Sequence, residues 1–130
     1  MFITADQLLC HLIGDYILQS HWMATEKIKQ SFACFMHVCM YTLPFCFLDS
    51  SSVYALIFIL ISHFLIDRFR LAKYVCFLKN NICPNIPLVW KDHNGTGYNN
   101  NDPAWLTVWL LIITDNIMHI ICNGIALKFL

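Results

Sequence analysis

The chain has 130 residues, of which 58% are hydrophobic, 15% aromatic and 12% charged, roughly half the charge share of an ordinary soluble domain. Its formal net charge is zero, which leaves no electrostatic footprint for nucleic acid and none for a strongly acidic substrate. The seven cysteines, Cys10, Cys34, Cys39, Cys46, Cys76, Cys83 and Cys122, are odd in number, lack CxxC spacing and lie mostly in apolar runs. They read as small buried hydrophobes and exclude a disulfide scaffold.

Lysine, arginine and asparagine gather in a few connecting segments between long apolar runs, the unevenness that a bilayer imposes. The predicted fold is all-α: a single membrane domain over residues 1–130, an integral membrane bundle of about four transmembrane helices. Thr4 and Gln7 make a capping box that opens a first helix over about 5–20, ending near the interfacial Trp22. No basic region precedes it, and Lys27 and Lys29 follow where a signal peptide has its cleavage site, so it is expected to be retained. The polar stretch 25–30 leads into a second helix over about 32–48, which contains Pro44. A tight connection at 49–52 predicts an antiparallel third helix over about 53–79, whose end carries Arg68, Arg70, Lys73 and Lys79 and must leave the hydrocarbon. Residues 80–103 hold three of the four prolines, the Asn94-Gly95 turn and an asparagine tract, and read as an irregular loop of a length that often carries function. The last helix covers about 104–127.

Four crossings place the first-to-second and third-to-fourth connections on one side, and these hold seven of the eight lysines and arginines. By the positive-inside rule the 80–103 loop is then cytoplasmic and both termini periplasmic, in a multi-pass inner-membrane protein.

Four of the six histidines and three aspartates fall inside the predicted helices: His11, Asp15, His37, His63, Asp67, Asp115 and His119. Six of them form i, i+4 pairs, a spacing that stacks side chains about 5–6 Å apart on one helix face. An ionised aspartate in hydrocarbon costs several kcal/mol unless it is neutralised. Arg68 and Arg70 lie too near the surface to serve three carboxylates, whereas imidazole and carboxylate together suit one or two divalent transition ions, Zn, Mn or Fe, better than Mg or Ca. Two dications against three carboxylates and a bridging hydroxide would close the charge, and such a centre activates water for phosphoester or amide hydrolysis. A structural polar network or a proton relay accounts for the same residues without a metal, and His37 alone can serve as a cross-helix hydrogen-bonding group. His21 and His93 read as interfacial or loop residues, Asp92 and His93 as a lid at most, and Trp22, Trp90, Trp105 and Trp109 as interface anchors. The Asn94-Gly95-Thr96 sequon matters only in a glycosylating lumen.

The segments His11-Leu12-Ile13-Gly14-Asp15-Tyr16 through Gln19, Trp22-Met23-Ala24, Ser62-His63-Phe64-Leu65-Ile66-Asp67, and Asp115-Asn116 through His119 resemble an uncharacterised family of bacterial and phage inner-membrane proteins, domain of unknown function number 3307. His37 fits the family's helix-two histidine, while Asn116 stands where a glutamine is expected. The family is similar to membrane-bound metal-dependent hydrolases, a likeness that implies a metal without naming a substrate. The expected function is therefore a membrane-embedded metal-dependent hydrolase of a lipid or another membrane-borne ester, phosphoester or amide. Membrane lipid is its partner and the seven residues above its candidate ligands, with one aspartate, Asp67 as the nearest to water, a candidate for general base instead. The alternatives are a metal-ion or proton transporter, and a non-catalytic protein that modulates a host membrane complex.

Overall fold

The computed structural model describes residues 2–82 and 88–130; Cys83, Pro84 and Pro87 of the predicted loop lie outside the described residues. Every regular element described is helical. Helix α1 (Ala5–Leu12) runs directly into a π turn (Ile13–Ile17) and is followed by α2 (His21–Glu26). Next come α3 (Ser31–Thr42), which tightens into a 3-10 turn (Leu43–Phe47), α4 (Val53–Phe69) and α5 (Leu71–Asn81). A short 3-10 turn (Trp90–Asp92) precedes α6 (Ala104–Phe129). The chain forms two compact units, residues 1–69 with 119–130, and residues 70–118.

Local chemistry explains where the helices of the first unit start and stop. Thr4 Oγ1 accepts a hydrogen bond from the Gln7 amide at 3.2 Å, and Ser20 Oγ accepts one from the Met23 amide at 3.3 Å, so each caps a helix N-terminus. The run expected as one helix over 5–20 is interrupted by the π turn and ends before Ser20. Pro44 sits at the start of the 3-10 turn, where its missing N–H ends the α-helical ladder of α3. Arg70 adopts the left-handed conformation, φ 50° and ψ 50°, which divides the run expected as one helix over 53–79 into α4 and α5. The core gathers Cys10, Tyr41, Phe45, Ala55, Ile59 and Ala126.

These breaks overturn the four-helix transmembrane bundle. Among the described residues, α6 is the one helix long and apolar enough to cross a membrane. Helices α1, α3 and α4 have 8, 12 and 17 residues, short of the roughly 20 that span a hydrocarbon core. The multi-pass inner-membrane placement, with a cytoplasmic 80–103 loop and periplasmic termini, falls with it, because it was built on four crossings. Hydropathy registered the apolar content of each run but not the backbone interruptions that cut it. The all-α class stands.

In the second unit the segment after residue 88 folds onto α5. Gly97 has φ 83°, and a Cβ there would overlap the Lys73 carbonyl oxygen, so only glycine permits this approach. The Asn80 amide donates to the Gly97 carbonyl at 3.1 Å, and the Trp90 ring stacks on Tyr74 with centroids 5.1 Å apart. His93 is buried, its Nδ1 2.9 Å from the Val89 carbonyl oxygen, to which it donates. The described cysteines are all free; Cys10, Cys34 and Cys76 are buried and Cys46 is exposed.

Candidate metal centre

Three elements of the first unit each deliver part of one cluster. The π turn carries Asp15, α3 carries His37, and α4 carries His63 and Asp67 one helical turn apart. His37 Nε2 lies 3.0 Å from His63 Nε2 and 3.2 Å from both Asp15 Oδ1 and Asp67 Oδ2. His63 Nε2 lies 3.2 Å from Asp67 Oδ2 and 3.8 Å from Asp15 Oδ1. Ligand atoms about 2.0–2.2 Å from one ion at tetrahedral angles would be about 3.3–3.6 Å apart. The observed spacings of 3.0–3.8 Å therefore match the edges of a single coordination polyhedron, and the four residues can hold a metal ion. All four are buried, with Asp15 the most exposed at 6%.

Asp67 is engaged through both of its carboxylate oxygens. Three nitrogens lie within 3.2 Å of Asp67 Oδ2, from Lys27, which forms an ion pair with it, and from His37 and His63. The other carboxylate oxygen, Oδ1, lies 3.2 Å from His119 Nε2 on α6. His119 also stacks on His63, with centroids 3.8 Å apart and planes 17° from parallel, while Tyr41 packs against His63 at 3.7 Å. The Nδ1 atoms of His37 and His63 have no hydrogen-bond partner among the described residues, so ring packing does the orienting that a second hydrogen bond usually does.

Burial holds His63 neutral, down to about 3, against the opposing pull of Asp67, so its ring nitrogens keep their lone pair near neutral pH. Burial pushes the Asp15 carboxyl up, but the hydrogen bond from His37 and the field of the Lys27 ammonium outweigh it and hold the group at about 2. Asp67 is likewise held well below the usual carboxylate range: burial opposes the shift, and the hydrogen bonds from His119 and His37 overcome it. Neutral imidazole beside ionised carboxylates is the protonation state a metal ion requires.

Of the seven residues expected at the site, the structure thus brings together Asp15, His37, His63 and Asp67, with His119 behind Asp67. His11 is elsewhere engaged, its Nδ1 2.8 Å from the Tyr41 hydroxyl. The π turn begins between His11 and Asp15, and its extra residue changes the regular winding on which i, i+4 stacking depends. Asp115 belongs to the second unit and is half-buried, one turn before His119 on α6. Three residues were not anticipated at all. Lys27 places Nζ 2.7 Å from Asp67 Oδ2, 3.3 Å from His37 Nε2 and 3.9 Å from Asp15 Oδ1. Tyr41, fully buried, receives a 2.6 Å hydrogen bond from the Asn123 amide and meets His11. Tyr41 and Asn123 stand four residues beyond His37 and His119, so the same i, i+4 rule would have found them; Lys27 carries no such signal.

No curated protein and no solved structure matches the chain. A family profile does, over residues 3–129, a span that contains every residue of the cluster. The chain accordingly belongs to the family described as protein of unknown function DUF3307.

Proposed function

We propose that the protein is a metal-dependent hydrolase that holds one divalent transition ion, Zn, Mn or Fe, between Asp15, His37, His63 and Asp67 and cleaves an ester, phosphoester or amide of a lipid-like molecule. The convergence of four buried ligand atoms at metal-ligand spacing carries this reading. Mixed imidazole and carboxylate donors favour those metals. Such an ion supplies Lewis acidity and an activated water near neutral pH. Asp67 serves as a ligand through Oδ2, which lies 3.2 Å from both His37 Nε2 and His63 Nε2. An apolar substrate is supported by the π turn itself, where Tyr16 and Ile17, exposed at 52% and 74%, follow Asp15.

Metal analysis by mass spectrometry on tag-free protein should find about one transition ion per chain, lost in His63→Ala. Loaded and chelator-stripped protein are then compared on acyl ester, phosphoester and amide probes. A folded chain that neither retains nor takes up metal rejects the centre. A loaded chain inert towards all three probes rejects the hydrolase and leaves the centre standing. His119→Ala removes no ligand but frees Asp67 Oδ1, and it is expected to weaken metal binding by about 10–100-fold in a chelator competition.

A further inference from the structure

Lys27 is the feature of the centre that metal binding by itself leaves unexplained. A protonated amine has no lone pair and cannot be a ligand, yet its Nζ lies closer to Asp67 Oδ2, at 2.7 Å, than either imidazole does. Its side chain is 16% exposed, and it is built into place from both directions along the chain. On one side it ends α2, its amide donating to the Met23 carbonyl at 3.0 Å, with Met23 buried. On the other side Arg68, the residue after Asp67, clamps the following backbone. Its guanidinium donates to the Ile28 carbonyl at 2.8 Å, to the Lys29 carbonyl at 3.3 Å and to Ser31 Oγ at 3.2 Å. The fork geometry of arginine suits such a multiple hold, which ties the root of the Lys27 side chain to the helix that supplies two of the four cluster residues.

Once a dication enters, the ion and the Lys27 ammonium bring three positive charges against the two carboxylates of Asp15 and Asp67 that lie between them, so the site keeps a positive charge that an anion can bridge and neutralise. A carboxylic ester or an amide is neutral and offers no such bridge. A phosphoryl group does, since one oxygen can face the metal while another accepts from the amine, the arrangement that stabilises charge in phosphoryl transfer. Resting on the hydrolase reading, the geometry points to Lys27 as an anion-binding residue that selects a phosphate ester as the substrate class, with Arg68 as the positioning residue that holds it there. In the hydrolysis the water oxygen bonds to phosphorus and the phosphorus–oxygen bond to the alcohol breaks with its electron pair. The alcohol oxygen then takes up a proton and the water gives one up, so an ester and water become an alcohol and inorganic phosphate.

Inorganic phosphate is the first probe, titrated calorimetrically into metal-loaded protein whose metal content has been measured. Lys27→Gln is expected to retain metal and to bind phosphate about tenfold more weakly or worse, with Lys27→Arg restoring most of the affinity. Arg68→Ala should weaken phosphate by about threefold alone and add nothing in the Lys27→Gln background, as expected for a residue that acts through Lys27. Should Lys27→Gln fail to fold, Lys27→Arg and Arg68→Ala decide by the same readout. A second arm compares glycerol phosphate with micellar phosphatidic acid, which present the same phosphate monoester; tighter binding of the micellar form assigns a lipid headgroup, and equal binding a soluble ester. Loaded wild type that ignores phosphate, or variants that bind it as wild type does, overturns the anion site and leaves the metal centre intact. A chain that takes up no metal overturns both.

Discussion

Asp67→Asn is expected to cost the metal-free protein about 3 kcal/mol and to weaken its hold on metal by on the order of a hundredfold or more. The two losses have different origins. Asp67 Oδ2 is the anionic partner closest to the Lys27 ammonium, at 2.7 Å, and Oδ1 meets His119, so removing the charge takes the nearest anion from a largely buried cation and leaves the more distant Asp15 at 3.9 Å. Removing one member of a buried pair leaves an unbalanced charge, whereas removing both does not. Asp67→Asn with Lys27→Met should therefore recover most of the lost stability while recovering none of the metal affinity. Urea unfolding midpoints of the two single variants and the double variant, measured in chelator, give the coupling directly. A double variant no more stable than Asp67→Asn alone would mean that the ion pair does not hold the unit together, and the loss of stability would have to be ascribed to His119 and the surrounding packing.

Gly14→Ala is the second change with a large expected effect, and it touches no ligand. A Cβ at position 14 would lie 2.7 Å from the Tyr41 carbonyl oxygen and 2.9 Å from Tyr41 Cδ2. The first of these is backbone, which cannot swing aside as the end of a side chain can, so the π turn and α3 must separate. Overpacking of this kind costs about 1–3 kcal/mol, partly offset by the better helix propensity of alanine. Separation would also pull Asp15, on the turn, away from His37, on α3, so metal retention should fall together with the melting temperature. Gly95→Ala is the control: its Cβ would meet only Asn100 Oδ1, at 3.2 Å, the end of a side chain, and a shift within about 0.5 kcal/mol is expected. Equal melting temperatures for the two variants would show that the close approach at Gly14 is not required.

Much of the site could be read from residue type and spacing, and less from the assumed surroundings. The His63–Asp67 pair was visible because both lie on one uninterrupted α-helix, where i, i+4 spacing is a reliable guide to a shared face. His11 and Asp15 have the same spacing in the sequence but straddle the entry to a π turn, which no residue pattern announced, and they end with different partners. Lys27 was seen only as a charge that marked one side of a membrane; nothing in its spacing linked it to residues 40 positions later. The all-α class followed from the long apolar runs and the Thr4 cap, which are local properties. The four crossings did not hold because the number of spans depends on uninterrupted helix length. The interruptions lie at a left-handed arginine, which has no sequence signature, at Pro44, where α3 gives way to a 3-10 turn, and at the π turn.

The π turn sets a limit on how this chain can vary in length. Surface loops absorb a lost residue with little consequence, but a helix counts residues, each one adding about 100° of rotation. Deleting a single residue from Ile13–Ile17 would let the segment wind as an ordinary α-helix, and everything before it would turn by about that angle relative to Asp15. Gln7, whose amide holds the Ile120 carbonyl, and His11, which meets Tyr41, would both face the wrong neighbours. The surplus residue is thus a phase setting between the front of α1 and the metal-binding carboxylate, and a one-residue deletion there is expected to be as damaging as the loss of a ligand.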